Sequence, residues 1–231
     1  MNNIEFLKHI DFSPIREVKH LYHGSKNGIQ GRIFPNYKLA RRAIDFGQGF
    51  YLGNNPTQAK TLICGRDDYH PVLYKADIDL NGLNCVRVSG LPWAFLIAYN
   101  RGFLDEYEDT ALYTQIAGIG NGQDIIAGPI ADDRTSLVLE EFFDGTITDT
   151  ALIACMGELK LGMQYVAKTQ RACDRIHITN IFHLEPNEIK AMRARGIQRR
   201  EEGIRIVNPI KKSYRRTGNY FDDIIEMEKG E

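Results

Sequence analysis

Three short segments carry side chains that could build a site together: Tyr22-His23-Gly24-Ser25, Gly47-Gln48-Gly49-Phe50-Tyr51-Leu52 and Met163-Gln164-Tyr165-Val166. They offer an imidazole for hydrogen bonding, aromatic rings for stacking and an amide that both donates and accepts. Each has a plainer meaning alone, since a histidine ending a strand is commonly structural and a Phe-Tyr pair is commonly core. Their order and spacing give them joint weight. Other chemistry is less well supported. His20 and His23 are spaced like two metal ligands, but no third or fourth ligand follows nearby, so no metal is expected. Cys64, Cys85, Cys155 and Cys173 lie far apart with no Cys-x-x-Cys pair, and read as reduced, buried thiols rather than a disulfide framework. Gly118-Ile-Gly-Asn-Gly122 imitates a dinucleotide fingerprint, with Glu140 or Glu141 about twenty residues on. The apolar run 124–130 that follows reads as a strand, where that fingerprint requires a helix.

The elements that position these segments alternate irregularly. Residues 3–10 have helical apolar spacing, and 18–22 form a short strand running into His23. A Gly-bearing turn at 45–49 leads to a brief strand at 50–52. Asn54-Asn55-Pro56-Thr57 is a helix start, with a capping side chain and a proline suited to the first turn. Residues 72–80 alternate as a half-buried strand. Helices are expected over 91–99, 109–116, 136–143 and 147–160, a strand over 124–130, strands over 164–168 and 176–184, and a short helical piece at 171–173. This irregular mixture predicts an α+β fold rather than a regular βαβ series.

On these residues the chain resembles the ADP-ribosyltransferase superfamily, on the His-Tyr-Glu (diphtheria-toxin-like) branch that includes the poly(ADP-ribose) polymerases. The branch's His-Gly-Ser is His23-Gly24-Ser25; its Gly-x-Gly-Ile-Tyr-Phe followed by a helix is Gly47 to Leu52; a Gly-Leu-Arg-Ile element is echoed by Gly31-Arg32-Ile33. Over about two-thirds of the chain the sequence is similar to uncharacterised bacterial members often encoded in toxin-antitoxin-like loci. With them it shares Asp-Phe-Gly-x-Gly-Phe-Tyr-Leu and the Gly-Pro-x-Ala-Asp-Asp-x-Thr block at 128–135. The resemblance implies a split mixed β-sheet core with flanking helices, NAD as substrate, transfer of a single ADP-ribose, and an antitoxin protein as partner.

It also implies roles. Gly24 would pair its backbone N–H and C=O with the nicotinamide carboxamide, and Tyr51, next to Phe50, would stack on the ring. His23, helped by Ser25, would bond an adenosine ribose hydroxyl, and Arg32 would hold the diphosphate, with Lys38, Arg41 and Arg42 as looser candidates. The second nicotinamide-facing tyrosine of the polymerases falls near Leu62. At the third position the branch has glutamate, where this chain has Gln164, which can orient hydroxyls but cannot take a proton. That argues against chain elongation. It leaves open an inactive binding module, an NAD glycohydrolase, or a stand-in carboxylate such as Asp132, Asp133 or Glu140.

The 231 residues carry 29 Lys and Arg against 30 Asp and Glu, so average charge points to no nucleic-acid or membrane partner. No apolar run approaches the length of a membrane span, and the start has no signal-peptide pattern, so a cytoplasmic protein is expected. The distribution is uneven. Between 187 and 218 ten Lys or Arg face three Glu, which sets residues 1–185 apart as the transferase-like domain and 186–231 as a basic C-terminal extension. Arg199, Arg200, Lys211 and Lys212, with Tyr214 and Tyr220 interleaved, are candidates to bind a nucleic-acid acceptor. A protein acceptor is the alternative, and a merely solvated helix is the plain reading of the same segment.

Overall fold

Period-two alternation of apolar residues and well-capped helix starts account for most of the architecture. A computed structural model of the chain describes residues 10–11, 17–35, 44–64, 70–159 and 162–229. The strands are β1 (Glu17–Ser25), β2 (Phe50–Gly53), β3 (Val72–Asp79), β4 (Cys85–Arg87), β5 (Ile125–Pro129), β6 (Met163–Ala167) and β7 (Ile176–His183). They form one seven-stranded sheet in the order β4-β5-β6-β2-β1-β3-β7. Only the β4–β5 pair is parallel. The helices are α1 (Pro56–Ile63), α2 (Gly90–Arg101), α3 (Ala111–Gly118), α4 (Asp133–Phe143), α5 (Asp149–Glu158), α6 (Gln170–Cys173), α7 (Pro186–Tyr214) and α8 (Phe221–Lys229). The fold is α+β, as expected.

Adjacent residues of one strand enter opposite layers. Val86, Ile126 and Val166 join a large cluster with Trp93, Phe95, Leu139 and Phe142. Their neighbours Cys85, Ile125 and Ala167 pack on the other face with Leu21, Leu52 and Ile78. All four cysteines are free and buried. The start of α1 follows the sequence closely: Pro56 opens the helix, and the Asn55 side chain accepts from Gln58 N–H at 3.2 Å.

The expected split of the sheet takes a particular form here. β1 is in register with β3 along most of its length, but it meets β2 at one residue pair, Tyr22 with Gly53. The sheet is continuous and nearly divided at that point. From His23 to Ser25, the β1 edge turned towards β2 has no ladder partner among the described residues.

Two features depart from the sequence reading, and one agrees with it. β4 was not expected, being only three residues long; it is held by parallel pairing with β5. As the sequence reading expected, the glycines at 118–122 run from the end of helix α3 towards strand β5, the reverse of a dinucleotide fingerprint. The basic segment from 186 forms the long helix α7 and then α8, and both reach the main core. Val207 is buried, and the Phe221 ring lies 5.3 Å from Phe143 and 5.7 Å from Phe142 between centroids. The helix expected at 3–10 and Lys38, Arg41 and Arg42 lie outside the described residues.

Truncating Phe221 to alanine is therefore expected to destabilise the whole chain by about 3–5 kcal/mol in urea denaturation. A loss below about 1 kcal/mol would mean that the segment after 186 does not unfold with the rest.

Candidate functional site

Where β1 and β2 part, a pocket of about 360 Å³ opens between the strands, α1 and the segment before β2. His23 and Gly24 line it from β1, Tyr51 from β2, Gln164 from β6, and Asp45 from the turn preceding β2. The structure thus gathers four of the residues singled out in the sequence, and adds a carboxylate that was not.

Each of these side chains is fixed by a specific partner. His23 Nδ1 lies 2.8 Å from the Tyr51 carbonyl, so that nitrogen carries the proton and Nε2 is left as an acceptor. Burial lowers the pKa of His23, against the opposing effect of that carbonyl, which keeps the ring neutral. The Tyr51 hydroxyl donates to the Gly47 carbonyl at 2.7 Å and accepts from Phe46 N–H at 3.1 Å. Burial pushes its pKa upward, so the phenol stays protonated and its ring is held at the pocket wall. Gln164 Nε2 donates to the Pro129 carbonyl at 3.1 Å, an acceptor shared with Trp93 Nε1 at 2.9 Å. Gly24 must be glycine for packing as well: a Cβ there would lie 2.7 Å from the Ala59 carbonyl oxygen of α1.

Other predicted residues lie elsewhere. Phe50 is buried and does not line the pocket; its ring stacks on His23 at 4.2 Å between centroids. Ser25, at the end of β1 opposite Val72, is also absent from the wall. Arg32 is on the surface, with Nε and Nη2 both bonded to Asp174, the shortest contact being 2.6 Å. A phosphate seeking the same Nε–Nη2 fork would have to compete with that carboxylate. Leu62 does border the pocket and is 64% exposed, so the position of the polymerases' second tyrosine is an aliphatic rim. Of the stand-in carboxylates, Asp132 caps α4 and pairs with Arg134 and Arg199 outside this pocket, and Glu140 is exposed on α4. The Asp133 side chain lies outside the described residues.

Asp45 is the carboxylate that the sequence reading missed. Its side chain is 16% exposed and that of Arg101 is 20% exposed. Arg101 Nε and Nη2 reach Asp45 Oδ1 at 3.1 and 2.6 Å, and Nη1 reaches Ser136 Oγ at 3.2 Å. Asn100 Nδ2 holds the Asp45 carbonyl at 3.1 Å. Burial raises the pKa of Asp45, while Arg101 and the Gln164 side chain work to keep it ionised. Breaking such a pair at one end would leave an uncompensated buried charge, at a cost of about 3–5 kcal/mol. The turn itself needs Gly47, whose φ of 75° is strained for other residues. The signal was present in the sequence as the aspartate of Asp-Phe-Gly-x-Gly-Phe-Tyr-Leu, but its partner lies on a distant helix.

Beside the pocket, and sharing Gln58, Leu62 and Ala131 with it, a smaller cleft of about 110 Å³ runs between α1, α4 and α7. Arg134, Arg199 and Arg200 line it, against the single carboxylate of Asp132. Two of the basic candidates on α7 thus border the main pocket's neighbour. The other two do not: Lys211 Nζ is paired with Glu141 at 2.5 Å, and Lys212 is exposed further along the helix. Among the described residues no three His, Cys, Asp or Glu gather to hold a metal, and no helix is long and apolar enough to cross a membrane.

A family model described as a protein of unknown function, DUF3990, matches residues 19–178. The chain belongs to this family. The matched span contains every residue named above as lining the main pocket, and ends before α7. No curated protein matches the sequence. Among solved structures, a chain in the crystal structure of the M. tuberculosis MbcT–MbcA toxin-antitoxin complex is similar at 10% identity and a TM-score of 0.42, covering 78% of this chain and 91% of that one.

Lys168 ties the turn to the end of β6, its Nζ donating to the Phe46 carbonyl at 2.6 Å. Burial lowers its pKa from 10.5 to about 8. Below pH 8 both folded and unfolded chains carry the proton, and the cost of burying the charge is felt in full. Between the two values the unfolded chain keeps its proton and the folded chain has lost it, so this residue's contribution makes stability rise with pH. The gain through that window is about 3 kcal/mol. In denaturation series across it, the difference between wild type and Lys168→Met should widen in favour of the wild type as pH rises; a pH-independent difference would refute the buried, charged lysine.

Proposed function

We propose that this protein cleaves NAD at its nicotinamide bond and transfers ADP-ribose to a macromolecular acceptor. The observation that carries the reading is the opening between β1 and β2, which presents an unladdered backbone edge at His23–Gly24 beside the Tyr51 ring. An amide-bearing aromatic ring fits both features: its carboxamide would complete the strand edge, and its face would stack on tyrosine. Neutral His23, with Nε2 free to accept, suits a ribose hydroxyl. Gln164, its NH₂ committed to Pro129, would offer Oε1 to a second hydroxyl.

The reaction breaks the bond between ribose C1 and the nicotinamide nitrogen. The electron pair stays with nicotinamide, which leaves neutral, and positive charge develops on the ribose. A nucleophilic atom of the acceptor then bonds to C1 and loses its proton. The acceptor would enter by way of the cleft beside the pocket, where three arginines outnumber one carboxylate and favour an anionic surface, such as nucleic acid or an acidic protein segment. The resemblance to members encoded in toxin-antitoxin-like loci supports reading this transferase as a toxin with an antitoxin partner that restrains it.

The test is incubation with NAD labelled in its adenylate part and with cell lysate, following both nicotinamide release and labelled acceptor. The double variant His23→Ala, Tyr51→Ala should lower release by about a hundredfold or more, the scale expected when substrate positioning is lost. Arg200→Glu, at an exposed residue, should reduce acceptor labelling while leaving nicotinamide release within about twofold, because charge at a rim acts on encounter. Release without any labelled acceptor would make the protein an NAD glycohydrolase. Binding of NAD without release would make it a binding module.

A further inference from the structure

The site as read from its sequence lacks the carboxylate on which transfer to an acceptor depends in the resembled branch. The structure supplies one from another direction. We infer that Asp45 is the catalytic carboxylate of this site, the negative charge against which the ribose cation develops and the acceptor of the incoming nucleophile's proton. The inference rests on the transfer reading given above.

Position is the first ground. Asp45, from the turn before β2, and Gln164, from β6, line the same pocket, together with His23, Gly24 and Tyr51. The second is the environment of residue 164. Its amide donates to the Pro129 carbonyl at 3.1 Å and lies near enough to Asp45 to help keep that carboxylate ionised. A glutamate in its place would set one carboxylate against a carbonyl oxygen and another carboxylate, so glutamine is the residue this arrangement requires once the charge sits at 45. The third is the way Asp45 is held. Arg101 spends two N–H groups on Oδ1 alone, which orients the carboxylate without tying Oδ2 to the guanidinium. Arg101 is itself fixed to Ser136 Oγ, and Asn100 fixes the Asp45 backbone. A supported carboxylate of this kind is preorganised, so its field is in place before charge develops. The incoming nucleophile's proton passes to Asp45 and from there to solvent, and burial makes this carboxylate a better base than a free one.

The groups facing Asp45 are Arg101 from α2, Gln164 from β6, Tyr51 from β2 and His23 from β1, with Lys168 bonded to the next residue's carbonyl. Tyr51 stays neutral, so Asp45 and His23 are the groups able to shape an acid limb of the rate.

The experiment measures nicotinamide release by the full chain against pH, with NAD binding followed separately by calorimetry. Asp45→Asn should lower kcat by about a hundredfold or more, the loss seen when one preorganised electrostatic group is removed, with NAD affinity kept within about threefold of wild type, since uniform binding is untouched. Gln164→Glu keeps the Asp45–Arg101 pair and should move the acid limb upward by about one pH unit, because two neighbouring carboxylates resist ionising together. If Asp45→Asn fails to fold, the Gln164→Glu profile decides. An Asp45→Asn enzyme within about fivefold of wild type, or an acid limb unmoved in Gln164→Glu, overturns the assignment and leaves the transfer reading standing. A wild-type chain that binds NAD and releases no nicotinamide overturns both.

Discussion

A β-sheet that loses its ladder in the middle must satisfy the exposed backbone some other way, and that constraint shapes this molecule. β1 has a full partner in β3 and β2 has one in β6, so each is secure on its outer side. Between them a single register pair holds the halves together. An unpaired N–H or C=O costs free energy comparable to a lost hydrogen bond when it is buried dry. The opening can therefore persist only as a wet or ligand-binding cavity, and the surrounding elements are arranged to keep it one. α1 closes the side of Gly24, where even a Cβ would collide with the helix. The turn at 45–49 closes the other, with Phe46 as its buried anchor.

Electrostatics follow from that geometry. The turn brings a carboxylate into a low-dielectric opening, which is unfavourable unless a cation comes with it. Arg101 is that cation, and it sits in the last turn of α2, where the helix dipole also favours positive charge. Lys168 then holds the following carbonyl, and its depressed pKa records the cost of burying its ammonium group. The neutral groups are neutral for the same reason: His23 and Tyr51 are kept in their uncharged forms chiefly by burial. In this setting Gln164 is no longer a defect. Its amide is the group that can face a carbonyl and a carboxylate at once.

What was legible in the sequence was what local pattern encodes. The alternation at 72–80, the capped start at 54–57 and the order of the three segments led to the strands, to α1 and to His23, Gly24, Tyr51 and Gln164 in one pocket. What could not be read depends on partners far apart in the chain. Asp45 looked like a turn residue because Arg101 lies 56 positions away. Arg32 looked available because Asp174, which holds it, lies 142 positions away. The basic count after 187 suggested an appendage, but charge count is blind to the few apolar contacts that anchor a helix. Val207, with Phe221, Ile224 and Ile225 beyond it, attaches the segment to the core. Lys211 is spent on Glu141.

That attachment changes what the basic helix can do. A tethered tail could search for an acceptor, but its charges would have no fixed relation to the pocket. α7 is instead seated so closely on α4 that a Cβ at Gly203 would fall 2.7 Å from Arg134 Cγ. The same contact sets Arg134 and Arg199 around Asp132, two guanidiniums on one carboxylate, and burial, then the nearby Arg134 charge, lowers the pKa of Arg199. A pair of cations held this way retains charge that its own fold does not neutralise, next to a pocket that shares its wall. Rigid placement is what transfer chemistry needs, since the approach of an acceptor is useful only when its nucleophile arrives at a fixed place relative to the bond being broken. The core contacts of α7 are therefore part of the functional argument, because they convert a local excess of positive charge into a positioned one.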